Sequence, residues 1–143
     1  YMDLPTTGER VGYNPIVRDQ RFVFVTLIPD VDPCAVGGTG WVMELGYLTG
    51  SRLARSPFDV NGDLAISDLD LVEHTEDGET HQVPPSGVEL GIGIPATPTV
   101  IGRDQRTEFK VISGSSGDLA TLLEGKSSVS GRLSWKQIID KGN

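Results

Sequence analysis

The sequence predicts an all-β fold in which two four-stranded antiparallel sheets stand side by side, with one insertion. Three observations predict it: apolar residues come in short bursts, turn-forming residues are frequent, and a strand-turn-strand unit occurs twice. Bursts of about five to eight apolar residues bounded by Gly, Pro and Asp read as strands, because helices need longer stretches at a 3.6-residue period. The 18 glycines and 9 prolines among 143 residues are too many for a helical bundle.

In chain order, the bursts are Arg21 to Ile28, Trp41 to Leu45, Val88 to Ile94, Thr99 to Ile101, Phe109 to Ile112, Leu119 to Leu123 and Leu133 to Ile139. Between them, Leu48-Thr49-Gly50-Ser51 and Gly114-Ser115-Ser116-Gly117-Asp118 are turn sequences. Glycine there supplies positive φ, and Ser or Asp bonds back to the main chain. Gly37-Gly38-Thr39-Gly40 and Gly91-Ile92-Gly93 lack the strand-to-helix setting of a nucleotide fingerprint and read as bulges or close backbone approaches within strands.

The repeat is the most informative feature. Asn14 to Val25 aligns with Thr97 to Val111, and both copies carry Pro, Val, the whole tetrapeptide Arg-Asp-Gln-Arg and a following strand. Each copy continues into further bursts, giving four strands per copy, which is the anatomy of a β-propeller blade. One blade is expected over residues 10–57 and a second over 88–139, with the excess forming an insertion over 56–87. The competing reading is two unrelated hairpins that share a tetrapeptide. Closure takes at least four blades, so the chain is expected to be a fragment of a larger propeller, or the terminal piece of one.

The balance of 20 acidic against 12 basic residues, net charge −8, argues against a nucleic-acid partner, since phosphate binding needs clustered cations. No window approaches the roughly 20 apolar residues of a membrane span. The start, Tyr1-Met2-Asp3-Leu4-Pro5, lacks the basic end and apolar core of a targeting signal, so the chain is expected to be cytosolic or the inner part of a longer exported precursor. The single cysteine, Cys34, is either a small buried apolar residue or half of a disulfide with a partner outside this chain.

The sharpest motif opens the insertion: Asp59-Val60-Asn61-Gly62-Asp63-Leu64-Ala65-Ile66-Ser67-Asp68-Leu69-Asp70. A hard cation of calcium's size takes oxygen ligands from loop positions 1, 3, 5, 7, 9 and 12. Asp59, Asn61 and Asp63 fill the first three, Ala65 offers its carbonyl, Ser67 a hydroxyl or a water bridge, and Asp70 a carboxylate. Three carboxylates are then expected to face one Ca2+. Position 6, normally Gly for its positive φ, is Leu64, and position 12 is Asp where Glu is usual, with Asp68 as a substitute. The alternative is a solvated turn. Ser67 also reads as the N-cap of one helical turn, with Asp70 three residues on.

The acidic run Glu73 to His81 matches no zinc spacing and is expected to be a solvated loop. No Gly-x-Ser-x-Gly, His-Glu-x-x-His or phosphate-cradling loop occurs, so no enzymatic activity is expected. Trp41 and Trp135 sit in apolar bursts and read as packing between blades rather than as sugar platforms.

Gly8-Glu9-Arg10-Val11, Thr26-Leu27-Ile28-Pro29, Asp32-Pro33-Cys34, Gly37 to Trp41, Glu44-Leu45, Leu48-Thr49-Gly50, Ser113 to Gly117 and Gly131 to Gln137, in this order, resemble the C-terminal propeller of the PilC/PilY family of type IV pilus biogenesis and tip-associated adhesin proteins. The resemblance covers essentially the whole chain. It implies the last two blades of a quinoprotein-like propeller in a long exported protein, found in the periplasm, at the outer surface and at the pilus tip. It also implies a calcium loop, association with minor pilins and the rest of the propeller, a host surface ligand, and support of pilus extension, twitching motility and attachment. The family's calcium pattern has Gly at position 6 and Asp at position 9, where this chain has Leu64 and Ser67, so carry-over is direct only for Asp59, Asn61 and Asp63. Two other classes share parts of the pattern: a quinoprotein dehydrogenase fragment, which would carry a quinone, and a calcium-stabilised carbohydrate-binding module, which would expose a tryptophan.

Overall fold

A computed structural model describes residues 4, 6–32 and 37–126. Cys34, Trp135 and the burst from Leu133 to Ile139 lie outside the described residues. The described chain is all-β except for a single 3-10 turn at Asp68–Asp70.

The first sheet is built on β3 (Arg21–Pro29). One edge of β3 is covered by β2 (Ile16–Arg18) and β1 (Arg10–Val11), and the other by β5 (Trp41–Gly46) and β4 (Gly38–Thr39). Beyond β5 lies β8 (Gly87–Glu89). With β1 and β2 counted as one interrupted strand, and β4 and β5 as another, this is a four-stranded antiparallel meander. The interruption at β4 and β5 follows from close packing: a side chain at Gly38 or Gly40 would run into the main-chain oxygens of Ile28 and Thr26 on β3.

The second sheet is a meander of β9 (Thr99–Gly102), β10 (Thr107–Ser113) and β11 (Leu119–Gly125). The outer edge of β11 takes up the segment that enters the insertion, through Asp59 N–H to Leu123 O at 3.0 Å and Gly125 N–H to Pro57 O at 2.9 Å. The core is shared by both sheets: Val25 and Val42 from the first, Ile112 and Leu122 from the second, with Phe58 and Ile92 from the connections. Each such side chain stabilises the fold by about 1.5–3 kcal/mol relative to exposure, so the two sheets hold each other.

Three expectations are corrected. The strand at Val88 belongs to the first sheet, where Val88 pairs with Val42, so the insertion falls between the third and fourth strands of one sheet and not between two units. The strand ends at Glu89, and Gly91 and Gly93, at φ 68° and 77°, turn the chain toward Ser115 and Ser116 rather than continuing a strand. The acidic run is a hairpin of β6 (Val72–Glu76) and β7 (Glu79–Val83). Its Asp77-Gly78 turn has φ 51° and 84°, the positive pair that a two-residue hairpin turn requires. The described residues form two open sheets and the separate two-stranded hairpin, and no closed propeller.

Candidate functional site

The loop from Asp59 to Asp70 is held at its entrance by Phe58, which is fully buried and bridges to Glu124. Asp59 follows at once and organises the turn. Its Oδ1 accepts the N–H groups of Gly62 (2.7 Å) and Asp63 (3.2 Å), and its Oδ2 accepts that of Leu64 (2.9 Å). Asn61 Oδ1 accepts from Asp63 N–H and Asp63 Oδ1 from Ala65 N–H, each at 2.9 Å. Asx side chains that bond the main chain two residues on make their own turns. At the far end Asp70, fully buried, closes the loop by accepting Val60 N–H on Oδ1 and Ser67 N–H on Oδ2, at 2.9 and 2.8 Å. Ser67 caps the 3-10 turn by accepting Leu69 N–H at 3.1 Å, the capping box its sequence predicted.

Leu64 adopts φ 63°, the left-handed conformation that position 6 demands. For a residue with a Cβ this costs about 1–2 kcal/mol. The conformation is clamped on both sides: the Leu64 N–H is held by Asp59, and its carbonyl accepts Arg103 Nη1 at 3.1 Å. Among the described residues no group of three or more His, Cys, Asp and Glu side chains stands close enough to hold a metal ion. Asp59, Asp63 and Asp70 are thus placed along one loop but are not drawn into a three-carboxylate cluster. An oxygen set built here has to include the Asn61 amide oxygen and the Ala65 carbonyl. A carboxylate accepts at about four sites, so Asp59 and Asp70 retain capacity beyond their main-chain bonds.

Between the sheets lies a second polar assembly, which the sequence reading missed. Arg21 on β3 donates to Glu44 Oε2 at 2.7 Å and to Asp19 Oδ2 at 3.3 Å. Lys110 on β10 bonds Glu44 on β5 and Glu124 on β11. Arg18 grips Glu108 with Nε and Nη2, at 2.9 and 2.6 Å. The Arg21, Glu44, Glu108, Lys110 and Glu124 side chains are nearly or fully buried. Burial pulls the Lys110 ammonium below its ordinary pKa against the opposing pull of Glu44. Burial pushes the Glu108 carboxyl up, but Arg18, with Lys110 and Arg21, outweighs it and holds the group below the usual carboxylate value. The signal was present in the sequence: Glu44, Glu108 and Lys110 each interrupt an apolar strand.

A cleft of about 930 Å³ opens beside this network, lined by the two Arg-Asp-Gln-Arg turns through Arg18, Asp19, Asp104 and Gln105, with Glu108 and Lys126. Trp41 is half-buried on β5, in keeping with a packing role.

The class these features define is a β-sheet assembly with an Asp-rich loop, and no family model matches it. No solved structure matches it either. The chain is 29% identical to a type IV pilus biogenesis factor PilY1 homolog of Xylella fastidiosa, over 97% of its own length and 11% of that protein's. It is similar to that protein, of which it spans about a ninth.

Proposed function

We propose that this chain is a non-catalytic β-sheet portion of an exported type IV pilus biogenesis factor, placed in the envelope and at the pilus tip, with minor pilins as partners. The observation that carries this reading is the similarity to the PilY1 homolog along nearly the whole chain. In this reading the two sheets are neighbouring blades of a propeller completed by other parts of the protein, and the assembly supports pilus extension, twitching motility and attachment.

The 59–70 loop is the calcium site of the proposal, with Asp59, Asn61, Asp63, Ser67 and Asp70 as side-chain donors and Ala65 through its carbonyl. The support is local: left-handed Leu64 at position 6 and main-chain bonds that tie positions 1, 3, 5 and 12 into one ring. When bound, calcium would supply a cross-link among these oxygens. Asp59 and Asp70 position the two ends of the ring, and Phe58 ties it to β11.

A site of this kind in an extracellular module binds with Kd of roughly 10⁻⁴ to 10⁻³ M. A hundredfold excess of calcium then stabilises the chain by about 2.7 kcal/mol. The expected outcome is a higher melting temperature in calcium than in chelator, with the difference abolished in Asp63→Ala. An unchanged melting temperature refutes the calcium site. The pilus reading is tested separately, by deleting this region from the full-length protein in its own bacterium; undiminished surface pili and twitching refute it.

A further inference from the structure

The hairpin of β6 and β7 places His74 and His81 directly opposite each other. Its two-residue turn fixes that register, since Asp77 and Gly78 both hold positive φ. Residues two apart on a strand share a face, so the same face carries Val72 and Val83 at the base, the two histidines in the middle, and Glu76 and Glu79 next to the turn. The opposite face carries Thr75 with Thr80 and Glu73 with Gln82, each joined by a hydrogen bond. His81 Nε2 lies 3.6 Å from Glu79 Oε2, and the His81 imidazole is 57% exposed.

We infer that this face is a binding site for a borderline divalent transition metal such as Zn2+, chelated by the imidazoles of His74 and His81 with a carboxylate from Glu79 or Glu76. Directly opposed strand residues have Cβ atoms about 4.5–5.5 Å apart, and zinc-imidazole bonds are about 2.0–2.1 Å. Two opposed imidazoles therefore reach one ion from the same side without moving the backbone. Nitrogen donors with one or two carboxylates suit Zn2+, Cu2+ and Ni2+, whereas Ca2+ takes oxygen ligands only. The donors are distinct from those of the 59–70 loop. In the present rotamers no three of the described His, Cys, Asp and Glu side chains form a ready cluster, so the histidine pair is set by the fold while the third ligand swings in from an exposed side chain.

The test is titration of the full chain with Zn2+ by calorimetry, and with Cu2+ by broadening of the histidine proton resonances. The expected result is one Zn2+ per chain, with Cu2+ broadening both histidines together. Replacing the partner of a ligating histidine already weakens metal sites by about 10- to 100-fold. His74→Ala and His81→Ala should each weaken binding at least that much, Glu79→Gln should weaken it less, and Asp63→Ala should leave it unchanged. All four positions are exposed, and circular dichroism verifies that each variant folds. Absence of Zn2+ binding, equal affinity in either histidine variant, or loss of Zn2+ binding in Asp63→Ala with retention in His81→Ala would each overturn the inference.

Discussion

The same tetrapeptide, Arg-Asp-Gln-Arg, turns the chain twice, at Arg18 to Arg21 and at Arg103 to Arg106, into opposite surroundings. In the first copy Arg18 pairs with Arg21 across a two-residue turn in which Asp19 and Gln20 hold φ 49° and 62°. Arg21 is 2% exposed, inside the network between the sheets. In the second copy the last paired residues are Gly102 and Glu108, so the turn is longer and swings outward. Asp104 ties it by accepting from Arg106 N–H, Thr107 N–H and Thr107 Oγ1, and Arg106 is exposed. All four residues of the second tetrapeptide thus lie in the unpaired loop between Gly102 and Glu108, whereas in the first copy the two arginines are the last paired residues of their strands. A repeat in sequence therefore transmits the strand-turn-strand topology but not the environment of its charges.

The comparison breaks most visibly by truncating the fourth residue of each copy. Removing one partner of a buried ion pair leaves the rest uncompensated and costs about 3–5 kcal/mol. Arg21→Ala strands Glu44 in this way, although Lys110 stays with it. Arg106→Ala lies on the surface, where substitutions stay within about 0.5 kcal/mol. Urea unfolding of the two variants should differ by most of that gap; equal losses would mean that the network carries no stability of its own.

Acid sharpens the comparison at the second residue of each copy. The hydrogen bonds from Thr107 and Arg106 hold the Asp104 carboxyl at about 2, against an ordinary 3.8. A carboxyl depressed in the folded state lends stability above its unfolded pKa and loses it as pH falls through the folded one. The contribution of Asp104 is thus lost between about pH 4 and pH 2. Glu108, also depressed, adds loss in the same direction. Melting curves of the native chain and Asp104→Asn should lie furthest apart at neutral pH and converge toward pH 2. A constant separation across that range would show that the Asp104 charge is not what ties the turn.

Much of the fold was legible because its signals are local. The bursts at Arg21 to Ile28, Trp41 to Leu45 and Leu119 to Leu123 are strands, and Ser67 caps where its sequence said. What stayed hidden depends on tertiary neighbours. Val88 carries no local mark of which sheet it joins. The charges of Glu73 to His81 hid a hairpin whose clearest sign was the Asp77-Gly78 pair, set between Thr75-Glu76 and Glu79-Thr80. The charges of the network between the sheets were visible in their strands, but a charge inside a strand normally marks a solvated face, and only the opposing sheet turns Glu44 and Lys110 into partners. In the loop, the alternating oxygens were legible as a turn. The left-handed Leu64 was foreseen as strained, but its clamp by Arg103 comes from the other repeat and could not be read nearby.

The smallest effect isolates the backbone. Gln20 holds φ 62°, which disfavours any side chain, while Gln105 is absent from the positive-φ residues of the described chain. Glycine at position 20 relieves a left-handed conformation worth about 1–2 kcal/mol but frees the unfolded chain, which costs about 0.4–1 kcal/mol. The Gln20 side chain is exposed, so little packing is lost. Gln20→Gly should therefore raise stability by up to about 1.6 kcal/mol, whereas Gln105→Gly, with no strain to relieve, should lower it by about 0.4–1 kcal/mol. Opposite signs at the same position of one repeated tetrapeptide, read by urea midpoint at constant slope, would tie the difference between the copies to turn geometry. Equal signs would return it to the buried charges alone.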